Sequence, residues 1–248
     1  IGGGGFMRIL AIECSANPAS CAVITDGEIT ASFFCCAKVT HSQTLMPMVE
    51  NMLDTLSLTP DDFDAYAVSV GPGSFTGVRI GISLIKGLAQ VNGKDCIGVS
   101  TLEAMVQPLS QTDGIICCVM DARCNQVYNA LFRAENGNIT RICEDRAVMC
   151  EELYGQLMNE FGNEKITVTG DGTDVFMKCV KSENIKRCNA ANKYQSAAGV
   201  ALLAEKLWEC GSTYTAGNLN PVYLRMPQAE RELIKKQKTA NNNAEVHI

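Results

Sequence analysis

The sequence predicts an α/β fold in which one plan of strands and helices occurs twice. Each half contains a strand that ends in an acidic residue, and 108 positions separate Glu13 from Asp121. Each half also contains an Asx-Gly pair typical of a two-residue hairpin, and 110 positions separate Asp26 from Asn136. Because each half continues with a helix, a strand and a second helix, we predict two mixed sheets with helices on their faces.

Strands in the first half are predicted from short apolar runs, and helices from apolar residues at helical spacing. We expect a first lobe at residues 7–109, with strands at 8–13, 21–25, 28–36 and 65–70. Its helices are expected at His41–Leu56 and after Thr76. Residues 1–6, which include four consecutive glycines, are interpreted as an upstream extension or a remnant of cloning.

The second half repeats this order in a lobe expected at residues 110–225. Its predicted strands lie at 115–121, 127–133, 139–148 and 165–169, and its predicted helices at 151–161 and 174–180. A Gly-Asp-Gly turn at 170–172 corresponds to the glycine-rich turn of the first half. Residues 226–248 are expected to form a C-terminal helix and a partly disordered tail.

Composition excludes several functional classes. The net charge of −6 argues against a free-standing nucleic-acid-binding protein, which normally carries a basic face. Thirteen cysteines occur without a Cys-x-x-Cys pair, so we interpret them as small buried thiols in a reducing compartment. No signal peptide or membrane span is recognisable, and a cytoplasmic protein that does not bind membranes is expected.

A glycine-rich segment joins the strand at 65–70 to the helix that follows it. Gly71, Gly73, Ser74 and Gly77 leave few side chains in this loop. Such a loop lets backbone amides approach a partner, and a helix N-terminus favours an anion. The segment lacks both the P-loop ending and the dinucleotide-binding glycine spacing. A phosphate-binding loop and a turn that simply requires glycine geometry both stay open.

The same segment resembles a known family more specifically than its glycine spacing does. GPGSFTGVRIG is similar to the signature of the TsaB (YeaZ) family, which helps to make threonylcarbamoyladenosine in bacterial tRNA. Four further segments match in order: MRILAIECSANPASCAV, THSQTLMPMVENML, DARCNQVYNALF and PVYLR. The resemblance implies the duplicated ribonuclease-H-like fold of the actin, Hsp70 and sugar-kinase superfamily.

Few residues carry the chemistry of an enzyme of this superfamily. The related TsaD family uses an H-x-x-x-H metal pair, whereas Leu45 stands four positions after His41 here. We therefore predict neither a catalytic residue nor a metal site, and we expect a structural or interface role for His41. Glu13 and Asp121 match positions where ATP-using relatives place acids near magnesium and phosphates. Arg123 is interpreted either as an ion-pair partner of Asp121 or as a ligand-binding residue.

Two helices carry more apolar surface than packing against one sheet requires. Burial within the chain and cover by a partner both stay open for such helices. We predict a partner interface, because methionines suit an adaptable surface and the resemblance implies pairing with TsaD through these helices. The predicted interface residues are His41, Leu45, Met48, Val49 and Met52 from the first helix, and Phe75, Val78, Arg79, Ile82, Leu84 and Ile85 from the second.

The resemblance implies a non-catalytic subunit that activates TsaD in modifying the adenosine beside the anticodon of tRNA. It implies a homodimer of the chain alone, a heterodimer with TsaD, completion of the assembly by TsaE, and tRNA binding only through the complex. No cofactor is assigned to the chain, and ATP or ADP at the interface with TsaD is compatible with the hypothesis. The segment at 225–238 is interpreted as a solvated helix, because Glu230 and Glu232 lie among its basic residues, and a contact with tRNA phosphates is the alternative interpretation.

Two other functions stay open as alternatives. One is an independent actin-superfamily nucleotide-binding enzyme, whose phosphate and nucleotide loops would lie at 71–77 and 170–172. The other is a glycoprotease-like metallopeptidase, which the missing histidine pair disfavours.

Overall fold

Two mixed sheets organise the chain in the computed structural model, which describes residues 7–37 and 39–225. The expectations for residues 1–6, for the tail at 226–248 and for most of the 225–238 segment lie outside the described residues. Among the described residues, no helix is both long enough and apolar enough to cross a membrane.

The first sheet has the strand order β3-β2-β1-β4-β5. Its strands are β1 (Arg8–Glu13), β2 (Ala19–Thr25), β3 (Glu28–Cys35), β4 (Ala65–Gly71) and β5 (Asp95–Ser100). The first three are antiparallel neighbours, whereas β1, β4 and β5 run parallel. The predicted hairpin is confirmed, with positive φ at Asp26 and Gly27. β5 was not among the strands predicted from the sequence.

The second sheet has the order β11-β10-β6-β7-β8, and β9 also pairs with β7. Its strands are β6 (Gly114–Asp121), β7 (Gln126–Glu135), β8 (Asn138–Arg141), β9 (Arg146–Met149), β10 (Ile166–Thr169) and β11 (Ile185–Arg187). The single strand expected at 139–148 is wrong. The chain leaves the sheet after Arg141, whose guanidinium pairs with Asp145 and Glu103, and it returns as β9.

Helices cover both faces of the first sheet. The chain contains α1 (His41–Leu56), α2 (Phe75–Asn92), α3 (Thr101–Val106), α4 (Cys150–Phe161), α5 (Thr173–Phe176) and α6 (Ala197–Glu209). α1 and α2 pack with Leu10 and Ile12 of β1, whereas α6 packs with Ile9 and Ala11 on the opposite face. This double cover explains the continuous apolar runs of β1 and β4.

The second lobe departs from its predicted helices and boundary. The helix expected at 174–180 is shortened to the single turn of α5. α6, which the sequence analysis missed, returns to the first sheet, and the Ala197 amide donates to the Ser20 hydroxyl at 2.8 Å. Residues 197–219 thus pack largely against the first lobe, although the sequence analysis assigned them to a second lobe that ends at 225.

The cysteines fulfil their expectation only in part. All thirteen are free, and six are buried: Cys14, Cys21, Cys96, Cys117, Cys118 and Cys150. Burial raises the pKa of Cys14 to about 12, so this thiol stays protonated. Cys36, Cys124 and Cys210 are exposed instead.

Candidate functional site

An open apolar groove lies between α1 and α2, with a volume of about 500 Å³. Met46 of α1 and Ile80 and Leu84 of α2 line the groove, and Phe75 and Arg79 of α2 also line it. All of them are at least partly accessible, and Arg79 is exposed. We call this feature the α1–α2 groove.

Six of the predicted interface residues lie in the core of the first lobe. Leu45, Val49, Met52, Val78, Ile82 and Ile85 are at most 5% exposed and belong to the cluster that joins both helices to the sheet. The physical reason is that the most apolar stripe of each helix faces the sheet. This corrects the expectation that these six contact a partner, although Leu45 closes the floor of the groove. The other five predicted residues retain accessible surface.

His41 ties the start of α1 to the chain that follows β1. Its Nε2–H donates to the carbonyl oxygen of Ala16 at 2.8 Å, and its buried Nδ1 has no hydrogen-bond partner among the described residues. Met46 and Ile80 line the groove but are not among the predicted interface residues. Ile80 lies one helical turn before the predicted Leu84, on a second apolar stripe of α2 that differs from the stripe facing the sheet. That second stripe is the signal that points to the groove.

The glycine-rich loop packs closely against the backbone of its own chain. A Cβ on Gly73 would lie inside 3.0 Å of the Ser15 carbonyl oxygen, and one on Gly77 would crowd the Cys14 carbonyl oxygen equally. The Ser74 amide donates to the Ser15 carbonyl oxygen at 2.6 Å, and the Ser74 hydroxyl caps α2 by accepting from the Gly77 amide. Internal packing therefore accounts for these glycines without a phosphate.

Glu13 is committed to hydrogen bonds inside the first lobe. Its carboxyl accepts from the Ser15 amide at 2.6 Å and from the Ser69 hydroxyl, and the residue is 1% exposed. Burial raises the pKa of this carboxyl above its ordinary value of 4.5. Glu13 is thus a buried, hydrogen-bonded residue at the end of β1.

A cleft of about 450 Å³ separates the two lobes and contains the remaining predicted loop residues. The Asp121 carboxylate accepts from the Arg123 amide at 2.8 Å and lies 3.5 Å from the Arg123 guanidinium. Asp171 lies on the turn that packs against the end of β6, where it accepts from the Gln195 side-chain amide at 2.9 Å, and burial raises its pKa. The ion-pair interpretation of Arg123 therefore has a geometric basis, while most of this side chain stays exposed.

A short segment at 220–225 links the groove with the cleft. The Val222 amide donates to the Val70 carbonyl oxygen at 2.8 Å, and a Cβ on Gly71 would collide with the Val222 carbonyl oxygen. The ring of Tyr223 stacks on Phe75 with centroids 4.1 Å apart. Phe75 lines both the groove and the cleft, so it connects the two.

The same segment reaches the second lobe. The Arg79 Nε–H donates to the Tyr223 hydroxyl at 2.9 Å, and the Arg225 guanidinium donates to the Ala122 carbonyl oxygen at 2.7 Å. Within the described part of the chain, no group of three or more His, Cys, Asp and Glu side chains is arranged to hold a metal ion.

Comparison with known proteins places this architecture in a family. Residues 36–233 match the family model described as TsaD, tRNA N6-adenosine threonylcarbamoyltransferase. The tRNA threonylcarbamoyladenosine biosynthesis protein TsaB of Escherichia coli (strain K12) is 33% identical over 233 residues, covering 93% of this chain and 100% of that relative. The chain belongs to the TsaB family.

Two further relatives agree with this membership. The TsaB protein of Bacillus subtilis (strain 168) is 29% identical over 94% of this TsaB-family chain and 100% of its own length. The solved structure of YeaZ from Pseudomonas aeruginosa has a TM-score of 0.76 and 25% identity, covering 88% of this chain and 100% of that one. The family and the duplicated ribonuclease-H-like fold predicted from the sequence are confirmed.

Proposed function

We propose that this TsaB-family chain is a non-catalytic subunit for threonylcarbamoyl transfer to tRNA, and that it acts by pairing with a TsaD-type transferase. Relatives that match nearly the whole chain are named tRNA threonylcarbamoyladenosine biosynthesis proteins, which supports the process. The TsaD-type family model that matches most of the chain supports kinship between the two proposed partners.

The α1–α2 groove is the observation that carries the proposed pairing. Its open apolar lining from Met46, Ile80 and Leu84 suits a partner helix laid between two helices. Phe75, Arg79 and Tyr223 form an aromatic and cationic cluster beside it, with the Arg79 guanidinium 4.2 Å from the Phe75 ring centroid. Aromatic and arginine side chains of this kind often dominate the energy of protein interfaces.

The residues of the chain argue for a supporting role. The histidine pair of the TsaD resemblance is absent because Leu45 occupies the second position, and Leu45 is buried in the core. Glu13 uses its carboxyl to bind Ser15 and Ser69. Because both glycine-rich turns pack on their own backbone, the independent nucleotide-binding enzyme receives less support than the subunit. In this proposal the reaction centre belongs to the partner.

The proposed pairing is tested by one charge placed in the groove and a matched charge outside it. Leu84→Glu puts a carboxylate on the groove, whereas Val91→Glu puts one on the same helix at a site that is 84% exposed. Both proteins are mixed with TsaD and TsaE of the same organism and assayed for co-elution and tRNA modification. We expect Leu84→Glu to lose co-elution and most modification, and Val91→Glu to behave like the wild type.

The same pair of variants tests self-association. We expect the wild-type chain alone to elute as a dimer that dissociates on dilution, and Leu84→Glu to elute as a monomer. If the wild-type chain neither pairs with TsaD nor stimulates modification, the proposed function is wrong. If a folded Leu84→Glu variant pairs normally, the interface lies elsewhere.

A further inference from the structure

Positive charge is concentrated in one stretch of the second lobe. Residues 178–193 contain five of the 21 Lys and Arg residues of the chain but only one of its 27 acidic residues. This stretch therefore carries +4 within a chain whose net charge is −6. We call it the basic edge, and its cations are Lys178, Lys181, Lys186, Arg187 and Lys193.

The basic edge follows one side of the second sheet. β11 is the terminal strand of that sheet and pairs only with β10 among the described residues. Lys186 and Arg187 lie on β11 and are exposed, while Lys178 and Lys181 are exposed in the segment that leads into it. Lys193 follows the strand, so the cations continue along the edge from one end of β11 to the other.

The cations of this edge fall into two groups. Asp174 pairs with Arg187, and its carboxylate lies 2.9 Å from the Lys193 Nζ, so these two side chains are held in place. For Lys178, Lys181 and Lys186, the described part of the chain provides no ion pair within 4.0 Å. Glu183 is the one acidic residue of the stretch, so these three lysines leave a net positive charge beside the two held cations, and this charge attracts a polyanion.

The surroundings of these charges indicate which polyanion fits. No large apolar side chain is exposed between residues 178 and 193, so this edge lacks the apolar anchors on which protein interfaces depend. A phosphodiester backbone needs only positive charge and hydrogen-bond donors. We propose that the basic edge binds backbone phosphates of tRNA while the TsaD-type subunit modifies it, an inference that rests on the proposed function.

This contact is expected to be weak and independent of sequence. Phosphate contacts position a nucleic acid without reading its bases, and the acidic remainder of the chain repels the same tRNA. The edge therefore contributes within the assembly, where the partner supplies the main tRNA surface. Lysines on an edge strand also prevent unwanted strand pairing, and that role alone is the competing explanation.

The test compares two variants of equal charge change in the assembled complex. Lys181→Glu/Lys186→Glu reverses two cations of the basic edge, and Lys94→Glu/Lys206→Glu reverses two on the first lobe. Each complex is titrated with an unmodified tRNA transcript at several salt concentrations. We expect the basic-edge variant to bind several-fold more weakly at low salt, with a log–log salt slope flatter by about 1 to 2. The control variant and Lys181→Arg/Lys186→Arg are expected to keep the wild-type slope.

Co-elution with the transferase separates the two possible failures. An unchanged slope in a basic-edge variant that still pairs and folds overturns the tRNA contact and leaves strand protection as the role of these lysines. Equal weakening by the first-lobe control also overturns it, because net charge alone would then explain the effect. Failure of the wild-type chain to pair or to support modification overturns the proposed function, and this inference with it.

Discussion

The two lobes share one plan but present different surfaces. In the first lobe the glycine-rich loop leads into α2, which has 18 residues and forms a groove with α1. In the second lobe the turn at 170–172 leads into α5, which has only four residues. The sheets stayed alike because each must bury its faces, whereas a helix at the surface is free to lengthen or shrink. The asymmetry of the helices therefore creates the candidate interface.

In both lobes a glycine near the start of a helix packs closely against the first strand of the sheet. Gly77 packs on the Cys14 backbone after β1, and Gly170 packs on the Val119 backbone within β6. The acidic residues beside these glycines differ in burial: Glu13 is 1% exposed, whereas the Asp121 side chain is 26% exposed. The acidic residue of the first lobe is therefore buried, whereas that of the second lobe lines the cleft.

The largest expected effect comes from adding a methyl group at these shared turns. Gly77→Ala and Gly170→Ala each place a Cβ inside 3.0 Å of a carbonyl oxygen, and Gly170 also has φ +112°. We expect each variant to lose about 3 kcal/mol or more of unfolding free energy in urea titrations. Gly87→Ala is the matched control, since its Cβ meets nothing within 4 Å and helix propensity predicts a gain of up to about 1 kcal/mol. If Gly77→Ala is as stable as the wild type, the first turn of α2 can move away from the Cys14 carbonyl oxygen.

The buried acid of the first lobe should make stability depend on pH. Well below pH 4.5, the ordinary pKa of a glutamate, the Glu13 carboxyl is protonated in both the folded and the unfolded state. As the pH rises above that value, the unfolded chain releases this proton first, so unfolding becomes more favourable until the pH passes the raised folded pKa. Glu13→Gln keeps the shape without the charge, and we expect its stability relative to the wild type to increase across this window.

Thermal melts of both proteins from below pH 4.5 to neutral pH would measure this difference. Asp171 also has a raised pKa, and its charge adds to the raised pKa of Glu13, but this contribution is smaller than that of the burial of Glu13. Asp121→Asn, at the matching position of the second lobe, removes an accessible ion pair and should cost less than about 1 kcal/mol. If the difference in melting temperature between Glu13→Gln and the wild type is the same at all pH values, burial does not raise the pKa of Glu13.

The smallest expected effect concerns helix caps, which also differ between the lobes. The Ser74 hydroxyl caps α2, whereas Met149 precedes α4 without a side-chain cap and is 41% exposed. We expect Ser74→Ala to lose about 1 kcal/mol and Met149→Asp to gain about 0.5 to 1 kcal/mol in chemical denaturation. A loss of stability in Met149→Asp would mean that its pairing in β9 outweighs the new cap.

Local patterns were sufficient for most of the first half of the chain. The helix at His41–Leu56 and the strand at Arg8–Glu13 have the predicted bounds, and both hairpins have positive φ at the predicted Asx-Gly pairs. α6 was missed although it is strongly apolar. Its place on the first sheet, far along the chain from β1, depends on contacts that no local pattern records.

The candidate site divides in the same way. The sequence by itself determined the family, the duplication and the presence of two helices with excess apolar surface. Only the tertiary structure decided which stripe faces the core, because Leu45, Val49 and Ile85 are as apolar as Ile80 and Leu84. It also decided that the loop glycines serve internal packing, since Gly73 and Gly77 meet the β1 end only after the strands have aligned. Spacing along the chain specifies a helix and its faces, but burial of each face depends on the neighbours that folding brings to it.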